Sequence, residues 1–219
     1  MTRLIALLAV GLALAFAAVL AAAQAQPLDD DLRAFLLPPE NCPAPCWEGV
    51  RPGVTTLDEA VALLEANPWV GRVVVRQNAT FTFLYVEWSD QAPAFVENAD
   101  SQLPTYLWVR NDIIQLILIP TRIPFGEIWL RLGAPSRGSF AVSGYRHSLT
   151  LGNRPNTRHV ALYYDGQVTV DTRVYCPVSL ALFWSAPATI TYSAPAPQPA
   201  VASQPYDLAR WLFAPPCQS

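Results

Sequence analysis

Four cysteines and two histidines are the residues of this chain best suited to metal, redox or nucleophilic chemistry. Cys42 and Cys46 form a Cys-x3-Cys pair, a spacing also found in copper-carrying thioredoxin-fold proteins, where two thiolates and a distant histidine hold a soft metal. His147 or His159 would then supply the third ligand. The local sequence argues against that use. In Cys42-Pro43-Ala44-Pro45-Cys46 the prolines keep the segment extended and Pro52-Gly53 turns it again, whereas a thioredoxin-like motif runs from a strand straight into a helix. An even number of cysteines behind a secretion leader instead predicts two disulfides formed outside the reducing cytoplasm. Three pairings are open. Cys42 and Cys46 are close enough to pair, and Cys176 with Cys217 would then tie the C-terminal tail to the folded body.

Nucleophilic and acid–base chemistry find less support. A serine–histidine–acid site would have to use His147 or His159, and the chain holds no Gly-x-Ser-x-Gly elbow. His147 neighbours Ser148 on an expected strand, where adjacent side chains point to opposite faces. Asp58-Glu59 opens an expected helix, where capping and the helix dipole account for both acids, and Asp29-Asp30-Asp31 reads as a solvated lead-in to another. A glycosidase pair of carboxylates across a cleft has no motif to support it. All 14 basic residues are arginine, so phosphate-loop lysines, Schiff-base chemistry and serine–lysine dyads are excluded together. The formal charge of −3, without a basic block, carries no electrostatic footprint for nucleic acid. The reading is non-enzymatic: no catalytic, cofactor or metal residue is assigned, and the four cysteines Cys42, Cys46, Cys176 and Cys217 are the site residues as disulfide partners.

The elements that position these residues follow from pattern. Residues 1–25 read as a signal peptide, with Arg3 ahead of an apolar run and Ala23-Gln24-Ala25 as the cleavage site. The mature protein is expected to begin at Gln26 and to be secreted or held at the cell envelope; an uncleaved leader, roughly 20 apolar residues long, would serve as a membrane anchor. The other long apolar run, residues 113–119, stops at Pro120 and is too short to span. Charged residues make up only 14% of the chain and prolines number 21, which suits a loop-rich extracytoplasmic protein.

Thr56 caps an expected helix over residues 56–64, with Glu59 completing a capping box and Leu57, Ala60, Val61 and Leu64 on one face. Phe125, Ile128, Trp129 and Leu132 repeat that spacing in a second helix that ends near Pro135. Short helices are expected at both ends, over residues 31–37 and 207–214, each led by an aspartate and stopped by prolines. Strands are expected at residues 81–88, 106–110, 113–119, 139–142, 147–151, 160–164, 167–172 and 180–184, with Asn111-Asp112 and Asp165-Gly166 as tight hairpin turns. Trp129 and Trp211 fall at helix-core spacing, and Trp88, Trp108 and Trp184 fall in strands.

The run Pro52-Gly53-Val54-Thr55-Thr56-Leu57-Asp58-Glu59-Ala60 resembles the Gly-x-Thr-x-x-Glu-Ala/Val helix start of the BamE/SmpA-like family and of the β-lactamase-inhibitor-protein-like fold. Leu132-Gly133-Ala134-Pro135 resembles the Leu-Gly-x-Pro element that closes that helix. The cassette Cys42-x3-Cys46-Trp47-x-Gly49-x2-Pro52-Gly53-x-Thr55 is similar to one in uncharacterised secreted bacterial proteins. The resemblance implies a tandem α+β architecture whose sheet or rim meets other proteins. The expected fold is therefore α+β: two helix-plus-antiparallel-sheet repeats, at about residues 53–120 and 121–192, in one sheet-centred domain of residues 26–192. A Pro/Ala-rich linker, residues 193–205, leads to a C-terminal arm, residues 206–219. The expected function is binding of an unknown extracytoplasmic protein through the solvent face of the sheet. The alternatives are a glycan-binding module built on exposed aromatics, including Tyr163 and Tyr164, or a copper or thiol-redox protein using the Cys42/Cys46 pair.

Overall fold

The computed structural model describes residues 30–78, 80–96, 103–143, 156–195 and 204–208. The chain divides into two units, residues 1–33 and 34–219, and the fold below is that of the second. The leader, the expected strand at 147–151 and most of the C-terminal arm, with Trp211 and Cys217, lie outside the described residues.

In chain order the elements are α1 (Asp30–Leu36), α2 (Leu57–Glu65), β1 (Val70–Gln77), β2 (Thr82–Trp88), β3 (Thr105–Arg110), β4 (Ile113–Pro124), α3 (Phe125–Leu132), β5 (Arg137–Ser143), β6 (Asn156–Tyr163), β7 (Val168–Tyr175), α4 (Leu180–Trp184), β8 (Pro187–Ser193) and β9 (Gln204–Pro205). Among the described residues the strands form a single nine-stranded sheet in the order β1-β2-β3-β4-β8-β7-β6-β5-β9. Every neighbouring pair is antiparallel.

This corrects the expected α+β class and its two helix-plus-sheet repeats: the fold is dominated by one continuous antiparallel sheet with a few short helices. The longest helix described has nine residues, whereas β4 alone has twelve and pairs with β3 on one side and β8 on the other. Three strands escaped the pattern, among them β9, which falls in the expected linker. In β1 the run Val73-Val74-Val75 breaks alternation, and β8 sits among prolines and alanines. Residues 180–184 form helix rather than strand, because the Ser179 hydroxyl accepts the Leu182 N–H and caps the turn. A segment of five residues offers too few positions to separate the two periodicities.

Other local signals are obeyed. Thr56 accepts the Glu59 N–H while the Glu59 carboxylate accepts the Thr56 N–H, so α2 starts with a complete capping box. The same start is tied to the sheet, since Leu57 N–H donates to Asp112 O and Gly53 N–H to Ile114 O. Asn111 and Asp112 both take positive φ, as a two-residue hairpin turn demands. The β6–β7 turn is longer than expected: Tyr164, Asp165 and Gly166 all have positive φ, and Gln167 N–H closes it on Tyr164 O.

The core lies mainly on one face of the sheet, with Val160 and Leu162 of β6 buried on the other. A row of paired residues, Tyr163, Val168, Tyr192, Ile117, Leu107 and Leu84, crosses six strands with each side chain buried. Beside it run Ala161, Val170, Ile190 and Ile119. Ala60 and Leu64 of α2, Phe125 and Ile128 of α3, and Phe183 of α4 are buried with them. The linker begins inside β8 and ends as β9, which pairs with β5 at Gly138 and Arg137, so its last residues add a strand at the far edge of the sheet. Leu107→Ala, in the middle of the buried row, is expected to cost about 2–5 kcal/mol, read as a fall in the midpoint of urea unfolding.

Candidate functional site

The cysteine pair is closed. Cys42 and Cys46 form a disulfide, Cys176 is also disulfide-bonded, and Cys217 lies outside the described residues. His159 is fully buried with both ring nitrogens engaged: Nδ1 lies 3.0 Å from Thr172 Oγ1 and Nε2 lies 3.1 Å from Tyr206 Oη. His147 lies outside the described residues, among which no group of three metal-binding side chains gathers. Asp58 and Glu59 stand where the helix start explains them, and the bonds from Thr56 lower the Glu59 pKa.

Aromatic rings pack around His159. Phe140 of β5 stacks on the imidazole at 4.6 Å between centroids, Phe125 of α3 meets it edge-on at 4.6 Å, and Phe183 of α4 closes in at 5.0 Å. Burial among them pulls the imidazole pKa down to about 3. Trp184 stacks on Phe125 and meets Trp129, which in turn touches Tyr206. Trp129, Trp184 and the exposed Leu130 line a shallow cavity of about 580 Å³ between α3 and α4.

The surface best built to receive a ligand is the other face of β1–β4. Because side chains alternate, burying Leu84, Leu107 and Ile117 turns Phe83, Tyr85, Tyr106, Trp108, Leu116 and Leu118 outward. The register places Phe83 beside Trp108 and Tyr85 beside Tyr106, then Trp108 beside Leu116 and Tyr106 beside Leu118. The rings touch in sequence, with centroid distances of 6.1 Å for Phe81–Phe83, 5.7 Å for Phe83–Tyr106 and 6.3 Å for Tyr85–Tyr106. Phe81 is 45% exposed at the end of this ladder, and Arg76 from β1 lies 5.4 Å above the Tyr85 ring. Burial and the neighbouring Tyr85 raise the Tyr106 pKa, so the Tyr106 phenol stays a neutral donor and acceptor at physiological pH.

The expected platform is thus realised by different residues. Tyr163 is buried on the core face, Tyr164 is exposed in a turn, Trp88 points inward against Trp47, and Trp184 sits on a helix. Of the strand tryptophans, Trp108 alone among those three joins the solvent face. The alternation Phe81-x-Phe83-x-Tyr85, matched by Tyr106-x-Trp108, was the signal that could have assembled the ladder, since the Asn111-Asp112 hairpin marks β3 as an antiparallel strand. Compared with known proteins, the chain matches no family model, no curated protein and no solved structure.

Two outcomes check this geometry. Phe83→Ala is expected to cost about 1–2 kcal/mol in urea unfolding, well below Leu107→Ala, because a ring on the solvent face loses ring contacts without opening a core cavity. The His159 ring resonances are expected to show no titration between pH 8 and about pH 4 in the folded protein, followed by NMR with His147→Gln to leave one imidazole signal.

Proposed function

We propose that this protein is a non-enzymatic binding module of the extracytoplasmic space, which recognises a protein partner through the outward face of β2–β4. The observation that carries the reading is the contiguous ladder of Phe81, Phe83, Tyr85 and Tyr106, with Trp108 beside Phe83 in register, on a sheet face that the core does not use. Aromatic residues and arginine dominate the energetic centres of protein interfaces, and each ring buries roughly 150–250 Å² when covered. Leu116 and Leu118 extend the surface as an apolar strip, and Arg72, Arg76 and Arg110 form a charged rim. Such a patch has the make-up of an interface, an apolar centre bordered by charge. The disulfides and the leader support an oxidising compartment.

A glycan is the second reading, favoured by the phenols of Tyr85 and Tyr106 beside Arg76, which offer both ring faces and hydrogen bonds. The leucines weigh toward protein, since a sugar face carries hydroxyls that aliphatic side chains leave unpaired.

A photo-crosslinking residue at Tyr106, in protein exposed to an extracytoplasmic fraction, is expected to capture one discrete protein band. Phe83→Ser should weaken that capture about tenfold while leaving the far-UV spectrum unchanged. Equal capture by a crosslinker at Thr169, on the distant half of the same face, would sink the proposal. A blue shift of Trp108 fluorescence with cell-wall polysaccharide and no crosslinked protein would assign the glycan reading instead.

A further inference from the structure

The contact between Tyr206 and His159 joins a buried titratable group to the residue that follows the shortest strand of the described sheet. His159 Nδ1 faces Thr172 on β7, a strand paired with β6 along its whole length and with β8 as far as Thr172. Its Nε2 faces Tyr206, which follows a two-residue strand, β9, whose Pro205 has no N–H to give. Tyr206 is held by rings, at 5.6 Å from Trp129, 6.0 Å from Phe140 and 5.7 Å from His159. It lies directly over Gly138, where a Cβ would sit 2.6 Å from its Cδ2, so the sequence leaves room on β5 for this ring. A neutral imidazole has one donor and one acceptor, and the Thr172 and Tyr206 hydroxyls satisfy both. We propose that residues 204–207 are a releasable strap, closed over His159 when the imidazole is neutral and opened when Nε2 takes up a proton.

Among the described residues, the side chains that touch the His159 ring bring it no carboxylate while the strap is closed. The elements packed on it present Phe125 from α3, Phe140 from β5, Thr172 from β7, Phe183 from α4 and Tyr206 from the arm. Tyr206 is the titratable member of that set, and burial raises its pKa, so it stays neutral. Glu127 and Arg131 of α3 pair with each other, and Arg158 and Asp171 pair on the opposite face of the sheet. Arg137 and Arg173 alternate onto that face too, α4 carries no charged residue, and Asp207 is exposed beyond Tyr206. Lifting the strap uncovers Nε2 to water. The free energy of closure is therefore fully present above the ordinary histidine pKa near 6.5 and is lost as pH falls from there toward about 3. Opening frees the β5 edge for another strand and bares Trp129 and Phe140, at the end of the sheet away from the aromatic ladder.

Amide hydrogen exchange on the full chain, corrected for intrinsic rates, tests this between pH 7 and pH 4.5. The opening constant read at Gln204, Tyr206 and Asp207 is expected to rise about fiftyfold between pH 6.5 and pH 4.5, while β3 and β4 keep their protection. His159→Phe should abolish the rise. Tyr206→Phe, which keeps the ring and removes the hydroxyl, should raise opening at pH 7 about three- to tenfold and leave the acid response in place. This second variant decides the matter if His159→Phe does not fold. A strap whose protection is flat with pH, one that opens only in step with β3 and β4, or a Tyr206→Phe strap as tight as wild type would each overturn the proposal.

Discussion

The pairing of β4 with β8 is the constraint on which the rest of this structure depends. β4 carries its residues Leu116 to Pro120 against Ser193 to Thr189, and through that seam the meander β1–β4 and the strands β5–β8 become one sheet. The seam is held twice over, by backbone bonds in the plane and by the side chains Ile117, Ile119, Ile190 and Tyr192 buried on one face. The second hold makes the first specific. A slip of β4 by one residue would carry Ile117 and Ile119 to the solvent face and bury Leu116 and Leu118 in their place, opposite Ile190 and Tyr192. The apolar core and the aromatic outer surface are two consequences of one register.

The two halves of the sheet use their faces differently. In β1–β4 the core side is mainly aliphatic and the rings of Phe83, Tyr85, Tyr106 and Trp108 point outward. In β5–β8 the order is reversed: Phe125, Phe140 and Phe183 cluster inward around His159, while Thr169, Thr189 and Thr191 stand on the outer face. A polar ring amid aromatics costs stability unless its nitrogens are satisfied, and one of the two bonds that satisfy them comes from outside the main sheet, at Tyr206. The proposed binding surface and the proposed strap thus occupy opposite ends of one framework, each built from rings, one set on the outer face and the other enclosed.

Much of the local structure was legible in the residues. The capping box of Thr56 and Glu59, the Asn111-Asp112 turn and the Cys42–Cys46 pairing appear as read, and strands form at Thr82–Trp88 and from Ile113, the latter running past Pro120 to Pro124. Each of these is decided within a few residues, by a dihedral, a side chain reaching its own backbone, or a short loop closing. The misread segments lacked that self-sufficiency. The five residues of α4 are apolar throughout and so pass for a short strand, and β1 is recognisable only beside β2.

The sequence by itself therefore determined the pieces: where the chain turns, where α2 begins, which residues can staple, and that lysine chemistry is excluded. Only the tertiary structure decided that the pieces form a single sheet, that Tyr106 and Trp108 face out while Leu107 faces in, and that Tyr206 reaches His159 across 47 residues of sequence. Local signals depend on atoms a few bonds apart. The choice of face and of distant neighbour is made by the whole buried surface at once, after the entropy of closing long loops has been overcome.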